Sequence, residues 1–286
     1  MSAPPRGPAA DFSPAPGLGN PHVQTLAGKL LRPRPDIPLR RERILTPDGD
    51  FLDVDFAGPP DAGPTVVVLH GLEGSARRKY MMTTYRALLD RGLRPVGLNF
   101  RGCSGEPNRT ARQYHSGETD DLRLLLERLR DRHDPPFGLV GFSLGGNVVL
   151  KLLGEGGADI GGLVGAAAAV SVPFDLAAGS RHIETGLVGR GLYTPYFVRS
   201  LRKKMLAKRH LAAEVCDMEA VRAARTLWEF DEAATAPVHG FRDAADYYAR
   251  SSSAGFLDAI RVSTLVIHAM DDPFLPRDRV PVAALE

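Results

Sequence analysis

The sequence predicts an α/β fold, in which a mostly parallel sheet is covered by helices on both faces and carries a helical lid insertion. From residue 65 to residue 172, apolar strand-like runs alternate with helical patterns, an order typical of a parallel sheet. The alternation stops over residues 173–259, where no β-rich run occurs. One strand-like run ends abruptly at Ser143, a serine between glycines that a helical pattern follows at once.

Composition limits the class of protein. The 286 residues are 43% hydrophobic and 24% charged, enough to bury one large core. The net charge of +2 provides no global basic field, so nucleic acid is not an expected partner. The two cysteines, Cys103 and Cys216, suggest neither a disulfide framework nor a metal site. We therefore expect a reducing, cytoplasmic location and no cofactor or metal ion.

The amino-terminal part leads into the sheet. Residues 1–18 are rich in proline and alanine but lack the basic and apolar regions of a signal peptide, so a disordered lead-in is predicted. The first part of the core is expected over residues 19–172. It opens with strands over residues 43–45 and 51–56, which flank a Pro-Asp-Gly turn and predict a hairpin.

The parallel strands begin with Thr65–His70, a β-branched run typical of a strand buried on both faces. It leads directly into the glycine-containing loop Gly71–Ser75. Such a loop can present the N–H group of Leu72 to an anionic oxygen, although an ordinary strand-to-helix turn is the alternative. The next predicted elements are a helix (77–91), a strand (95–100), a helix (118–132), the strand before Ser143, the helix behind it and a strand (163–172).

The stretch Gly141-Phe142-Ser143-Leu144-Gly145 predicts a nucleophile elbow. A serine on so tight a strand-to-helix turn has a strained backbone, and a Cβ at Gly141 or Gly145 would clash with the crossing chain. The helix begins at Leu144 and directs its N–H groups toward an oxyanion formed beside Ser143. Because G-x-S-x-G arises by chance in roughly one such glycine-rich sequence in seven, the flanking strand and helix carry this prediction.

The sheet is expected to resume at Val262–His268, with residues 260–286 as the last part of the core. The tip of this strand carries two carboxylates, Asp271 and Asp272, where the acid of a catalytic triad would belong. Asp272 is preferred because Pro276, four residues later, matches a D-x-x-x-P turn, and Asp271 is the alternative. An acidic turn that caps the next helix is the non-catalytic interpretation.

Other reactive side chains receive structural interpretations. His70 and His268 belong to predicted strands, where a hydrogen-bonded core histidine is more common than a catalytic base. His115 and His239 lie in predicted loops and are expected to be structural. Cys103 has no base beside it in the sequence, so a thiol nucleophile is not expected.

The insertion over residues 173–259 contains a basic helical pattern, with apolar residues interleaved among cations. On a lid, this pattern suggests docking to anionic lipid surfaces. The alternative is a solvated lid face whose apolar side packs on the core. Helices are expected over residues 197–211 and 221–230, above the carboxyl ends of the strands. The cations are Arg199, Arg202, Lys203, Lys204, Lys208 and Arg209.

These motifs together resemble the α/β-hydrolase fold family, and within it the YheT-like esterases related to eukaryotic abhydrolase-domain lipases. The similarity covers nearly the whole chain from Asn20. The resemblance implies Ser143 as nucleophile, Asp272 as acid and hydrolysis of a small-molecule acyl ester or lipid. The matching stretches are Asn20–Thr25, His70–Ser75, Asn99–Gly105, Gly141–Asn147, Phe230-Asp231, His239–Phe241 and Asp271–Phe274.

The sequence departs from that family at the third member of the triad. The resemblance implies a histidine in a loop after a final strand, but all eight histidines of this chain precede Asp272. We therefore expect a truncated, catalytically impaired chain whose strand Val262–His268 is an unpaired edge. Two hypotheses stay open, a carboxylic ester hydrolase with a Ser-Asp-His triad and an inactive relative that binds acyl ligands or partners. Thioester hydrolysis and acyl transfer also stay open, as does the oligomeric state.

Overall fold

The computed structural model describes residues 13–31, 33–59 and 63–285. Contacts divide the chain into two compact units, one up to residue 32 and one from residue 33. The first unit contains helix α1, Pro21–Leu31. The Asn20 carboxamide oxygen accepts hydrogen bonds from the N–H groups of His22 and Val23 and so caps this helix. Of the predicted disordered lead-in, residues 1–12 lie outside the described residues, and residues 13–18 contain no helix or strand.

The second unit is built on a seven-stranded, mostly parallel sheet. Its order is β1-β2-β4-β3-β5-β6-β7, with β1 and β2 antiparallel and β3 to β7 parallel to one another. The predicted α/β class is therefore confirmed. The strands are β1 (Leu39–Leu45), β2 (Phe51–Ala57), β3 (Thr65–Leu69), β4 (Arg94–Asn99), β5 (Phe137–Phe142), β6 (Val164–Val170) and β7 (Ser263–Ile267).

Strand β1 begins four residues before the predicted start. Ion pairs with β2, rather than residues of high β-propensity, stabilise this part of the strand. In the β1–β2 register, Arg41 lies opposite Asp55 and Arg43 opposite Asp53. Both arginines bind their partners through two nitrogens at 2.8–3.0 Å. The arginine-rich segment therefore pairs as a strand although its composition does not favour one.

Helices cover both faces of the sheet, as predicted. Val66 and Val68 of β3 pack against helix α2 (Lys79–Leu89). Val67 and Leu69, on the opposite face, pack in the largest core cluster with helices α3 (Asp120–Arg130) and α4 (Leu144–Gly156). Alternate residues of one strand thus face two separate cores, which is why the run is continuously apolar.

The lid lies between β6 and β7 and is made of one 14-residue helix and several shorter ones. The predicted helix over residues 197–211 breaks at Lys208, and the one over 221–230 breaks at Ala224, whose backbone is extended. Thr226 then starts a new helix through a capping box with Glu229. The helices are α5 (Leu176–His182), α6 (Gly186–Val188), α7 (Thr194–Ala207), α8 (Arg209–Ala212), α9 (Met218–Ala223), α10 (Leu227–Phe230), α11 (Ala236–His239) and α12 (Ala244–Ser251); α13 (Val282–Leu285) follows β7.

Strand β7 forms one edge of the described sheet and pairs with β6. Leu265 and Ile267 on it are 59% and 51% exposed. Val266, between them on the other face of the strand, packs against a core cluster that contains Leu150 and Phe174. None of the helices in the described ranges is long and apolar enough to cross a bilayer.

Candidate active site

Ser143 lies on a sharp turn between β5 and α4. Its backbone has φ 51° and ψ −118°, and helix α4 begins at the next residue, Leu144. Such a positive φ is strained for a residue other than glycine. The Ser143 N–H group donates to the Val170 carbonyl oxygen at 2.8 Å, which ties the turn to the end of β6. The strand, the strained serine and the helix therefore match the predicted elbow.

Close approach of main chains explains the glycines around this serine. A Cβ on Gly141 would overlap the carbonyl oxygen of Gly145. A Cβ on Gly145 would lie 2.7 Å from the main-chain oxygens of Leu69 and His70. The predicted clashes are thus confirmed, and the two glycines let helix α4 pack directly on the carboxyl ends of β5 and β3.

The loop after β3 abuts the serine, and His70 fixes its first peptide. A Cβ on Gly71 would lie 3.2 Å from the Cβ of Ser143. The N–H group of Phe100 donates to His70 Nε2 at 3.2 Å, so the ring proton lies on Nδ1, which donates to the Gly71 carbonyl oxygen at 2.8 Å. Burial lowers the pKa of His70 to about 4 and keeps the ring neutral. The structural interpretation of His70 is therefore confirmed.

The orientation of the Gly71–Leu72 peptide sets the direction of the Leu72 N–H group. The Gly71 carbonyl oxygen is held by His70 and also by the N–H group of Gly74 at 2.9 Å. In a trans peptide the N–H points opposite to the C=O, so the Leu72 N–H points away from the His70 ring. Among the described residues, neither this N–H nor that of Leu144 has a hydrogen-bond acceptor. Two main-chain donors near Ser143 are thus left available.

The two aspartates after β7 differ in burial. Asp271 is exposed, whereas Asp272 is partly buried and accepts a hydrogen bond from the Phe274 N–H group at 2.9 Å. Burial raises the pKa of Asp272, against the opposing effects of that N–H group and of the Ser171 hydroxyl. Ser171 follows β6, the strand between those that lead to Ser143 and to Asp272. The strands that lead to the serine and to the carboxylate therefore end at the same edge of the sheet, two strand spacings or about 10 Å apart.

Comparisons with known proteins agree with this architecture. The family model described as alpha/beta hydrolase fold matches residues 64–283. The chain belongs to the α/β-hydrolase fold family. It is 40% identical over 281 residues to YheT of Escherichia coli (strain K12), named as a candidate esterase, covering 96% of this chain and 81% of that protein. It is 31% identical over 268 residues to Phospholipase ABHD3 of Mus musculus, covering 91% of this chain and 64% of that one.

Solved structures of other proteins are similar to this chain in fold alone. The structure of the Pyrococcus furiosus esterase Pf2001 matches with a TM-score of 0.53 at 16% identity, covering 87% of this chain and 79% of that one. At this identity, the likeness concerns the path of the backbone in this hydrolase rather than its chemistry.

No imidazole completes a triad among the described residues of this hydrolase. All eight histidines are described, and none of them hydrogen-bonds to the Ser143 hydroxyl or to the Asp272 carboxylate. The negative charge of Asp272 acts to raise the pKa of His268, but burial has the larger effect and lowers that pKa. The expectation of a hydrogen-bonded His268 is wrong, because both of its ring nitrogens are buried without a partner in the described chain.

The lid cations divide into two groups, which the sequence did not separate. Lys208 is buried, and its ammonium donates to Asn108 Oδ1 and to the carbonyl oxygens of Thr110, Ala111 and Arg112. Lys204 pairs with Glu73 at 2.8 Å, and Arg202 donates to the Ala224 carbonyl oxygen. These three cations therefore bind groups of the protein itself. Arg199, Lys203 and Arg209 remain exposed.

One cluster in the described chain has the residue types of a metal site. Ligand atoms of His115, Glu118 and His239 all lie within 4.8 Å of one another, beside a cavity of about 510 Å³. The Gly117 N–H group donates to His115 Nδ1 at 3.1 Å, so the proton of the neutral ring lies on Nε2. The Arg112 guanidinium binds the Glu118 carboxylate at 2.8 Å. The His115 Nε2 and the Arg112 guanidinium both face the Glu118 carboxylate, which supports the structural interpretation of His115, whereas Nε2 of His239 is buried without a partner in the described chain.

Two further polar residues near the serine escaped the sequence analysis. Glu73, in the loop after β3, is buried and contacts the lid. Ser171 has φ 51° at the end of β6 and contacts Asp272. The partners of both residues are distant in sequence, so neither spacing nor composition could reveal them. The position of Glu73 in an oxyanion-loop motif was the one available signal.

Proposed function

We propose that this chain is a serine hydrolase that cleaves carboxylic esters. The observation that carries the proposal is the strained turn at Ser143, which presents a hydroxyl at the carboxyl edge of the sheet beside two available N–H donors. The Ser143 hydroxyl would pass its proton to a base while its oxygen attacks the acyl carbon and forms a tetrahedral oxyanion. The oxyanion would collapse with cleavage of the ester C–O bond, the alcohol would leave with that proton, and an acyl-enzyme would remain. The acyl-enzyme would then be hydrolysed by water through a second oxyanion.

We assign the oxyanion hole to the N–H groups of Leu72 and Leu144. Leu144 is the first residue of α4, so its N–H has no acceptor within the helix and lies at the positive end of the helix dipole. The peptide that carries the Leu72 N–H is fixed by His70 before any substrate binds. Donors held in this way need no reorganisation during the reaction, and each is worth about 10² to 10³ in kcat.

The acid of the triad is assigned to Asp272, and the base is proposed to be a histidine that these 286 residues do not contain. Asp272 is partly buried, and a nearby imidazolium would be stabilised by its carboxylate. His70 uses both ring nitrogens inside the core, and His115 accepts from Gly117. The competing proposal, an inactive relative that binds acyl ligands, rests on the absence of an imidazole on Ser143 in the described chain.

The outer face of the lid favours lipid esters as substrates. Helices α6 and α7 and the turn between them are continuous, and their outer side carries Leu187, Leu192 and Tyr196, which are 93%, 47% and 43% exposed. Arg199 and Lys203 continue the same side as exposed cations. We call these five residues the lid stripe. An apolar end followed by cations suits a surface of anionic phospholipid. A relative named as a phospholipase supports the same substrate class.

Hydrolysis of an ester panel tests the proposed reaction. Esters with acyl chains of increasing length, together with matching thioesters, would be incubated with the wild-type chain and with Ser143→Ala. We expect slow turnover by the wild type and none above buffer by the variant. Equal rates for the two proteins would overturn the proposal. Binding of an acyl ligand without turnover would favour the inactive relative.

A further inference from the structure

Glu73 connects the oxyanion loop to the lid, and every polar group of it is engaged. Its N–H group donates to the Tyr114 hydroxyl at 2.9 Å, and that hydroxyl donates to Glu73 Oε1 at 2.7 Å. The Arg78 guanidinium donates to its carbonyl oxygen at 2.8 Å. The side chain is only 2% exposed. A buried carboxylate with this many donors is fixed in position.

The remaining donors to this carboxylate come from the lid. Lys204 Nζ donates to Glu73 Oε1 at 2.8 Å, and the Ser200 hydroxyl donates to Oε2. Ser200 and Lys204 are one turn apart on α7, so they present their donors side by side. The neighbouring Leu72 side chain packs against both the sheet core and the lid core. Helix α7 therefore holds the loop through a charged contact and an apolar one.

The backbone of Glu73 is strained in this arrangement. Its φ is +54°, a left-handed conformation that costs a residue other than glycine free energy unless its surroundings compensate. The compensating contacts are those of Tyr114, Ser200 and Lys204. If α7 moves away, two donors are lost, the carboxylate loses its ion pair in a buried position, and the strained conformation loses its support. The loop and the helix are thus coupled.

We propose that Glu73 is a positioning residue through which lid helix α7 sets the oxyanion loop, so that the Leu72 N–H is fully aligned only when docking of α7 adds to the hold of His70 on the Gly71 carbonyl oxygen. The proposal rests on the proposed function for the role of Leu72. Its structural half, the coupling between the loop and the lid, does not depend on catalysis. Displacing α7 is therefore expected to disassemble the oxyanion hole.

A fluorophosphonate probe measures the catalytic half, because its reaction with serine passes through the same oxyanion geometry. The second-order rate of Ser143 labelling would be compared among wild type, Glu73→Gln, Ser200→Ala and the control Arg209→Met, an exposed lid cation outside the lid stripe. We expect labelling at least tenfold slower in Glu73→Gln, a smaller loss in Ser200→Ala and no change in Arg209→Met. The double variant Glu73→Gln/Ser200→Ala is expected to be no slower than Glu73→Gln alone.

The reactivity of the Cys103 thiol measures the structural half of the proposal, the coupling between the loop and the lid. It is buried beneath α7 with its Sγ 3.1 Å from Lys204 Nζ, and burial raises its pKa to about 11. In a Cys216→Ala background, at temperatures where every variant is folded by circular dichroism, we expect an aromatic disulfide reagent to modify Cys103 at least tenfold faster in Glu73→Gln than in wild type. The control Arg209→Met should match wild type.

The two readouts separate the two possible failures. If the wild type is not labelled at Ser143, the proposed function fails, whereas the Cys103 rates still test the coupling. If the wild type is labelled and Glu73→Gln is labelled equally fast, the positioning role is wrong. If Cys103 reacts at the wild-type rate in Glu73→Gln, the coupling itself is wrong.

Discussion

Ser143 is presented at the edge of the sheet because the glycines on either side of it have no side chain. Gly141 and Gly145 allow the elbow to pack against the ends of two strands. The sequence alone could predict this, because glycines at fixed spacing around a serine have a direct steric meaning. It could not predict that Lys204 and Lys208 point inward, since their acceptors lie about a hundred residues away in the chain. Side-chain partners that depend on the fold are invisible to local patterns.

Substitution of Gly145 tests the steric account of the elbow. In Gly145→Ala, the new Cβ would lie 2.7 Å from two main-chain oxygens that cannot move independently. We expect a loss of about 3 kcal/mol or more in the free energy of unfolding, measured by urea denaturation. Gly161→Ala is the control, because a Cβ there meets nothing within 4 Å. A Gly145→Ala protein as stable as this control would contradict the account.

Asp231 predicts a pH dependence of stability. Burial raises its pKa to about 6, against hydrogen bonds from Thr235 and Tyr248 at 2.6 Å. Because the folded pKa is raised, its contribution is fully present below the unfolded pKa and is lost as pH rises through about 6. Wild type should therefore gain stability relative to Asp231→Asn as pH falls from 8 to 4, by at most about 3 kcal/mol.

The measurement is the free energy of unfolding of both proteins at several pH values across that window. A difference between them that does not change with pH, or that changes in the opposite direction, would show that the Asp231 carboxyl group is not held in an unfavourable environment. The variant keeps the size of the side chain and an acceptor oxygen, so packing is a minor contribution.

At the scale of elements, the regular sheet and its interruption by a helical insertion were predictable, and the ends of the lid helices were not. Strands such as β3 are continuous apolar runs whose burial on two faces follows from composition. The lid helices begin and end where a cap or a hydrogen bond intervenes, as at Lys208 and Thr226. Such boundaries depend on tertiary contacts, which periodicity does not report.

The lid stripe predicts binding to anionic membranes. Vesicles containing anionic phospholipid should bind the wild-type chain, and Arg199→Gln/Lys203→Gln should bind more weakly by ~1 kcal/mol for each charge, or about thirtyfold in total. Co-sedimentation at low and high salt measures this. The matched control, Arg128→Gln/Arg130→Gln, removes two exposed cations from α3 instead. Equal binding by the two double variants, or binding that ignores salt and lipid charge, would leave the lid stripe as an ordinary solvated face.

For the whole molecule, the strand order brings the ends of β5, β6 and β7 together and so places Ser143, Ser171 and Asp272 at one edge. The sequence predicted this for Ser143 and Asp272, because parallel strands share their carboxyl edge, but not for Ser171. No described histidine hydrogen-bonds to Ser143, so the base of the proposed triad is not among these contacts. The proposal therefore assigns the base to a residue outside the 286.

A longer chain tests that assignment. Appending the roughly 30 to 50 residues of one more strand and helix, with a histidine, from a relative should raise ester hydrolysis by up to about 10⁶-fold. The same extension with its histidine replaced by alanine is the control and should stay slow. If the 286-residue chain already matches the extended one, an upstream histidine is the base, and His268→Ala would be the first variant to measure.

The identity of the nucleophile is the central claim, and covalent labelling measures it most directly. The wild-type chain would be incubated for hours with an excess of a fluorophosphonate, and the modified residue would be located by peptide mass spectrometry. We predict a single adduct on the peptide that contains Ser143 and no adduct in Ser143→Ala, because this serine alone lies between the two proposed N–H donors. An adduct on another residue, or labelling that survives the substitution, would contradict the account.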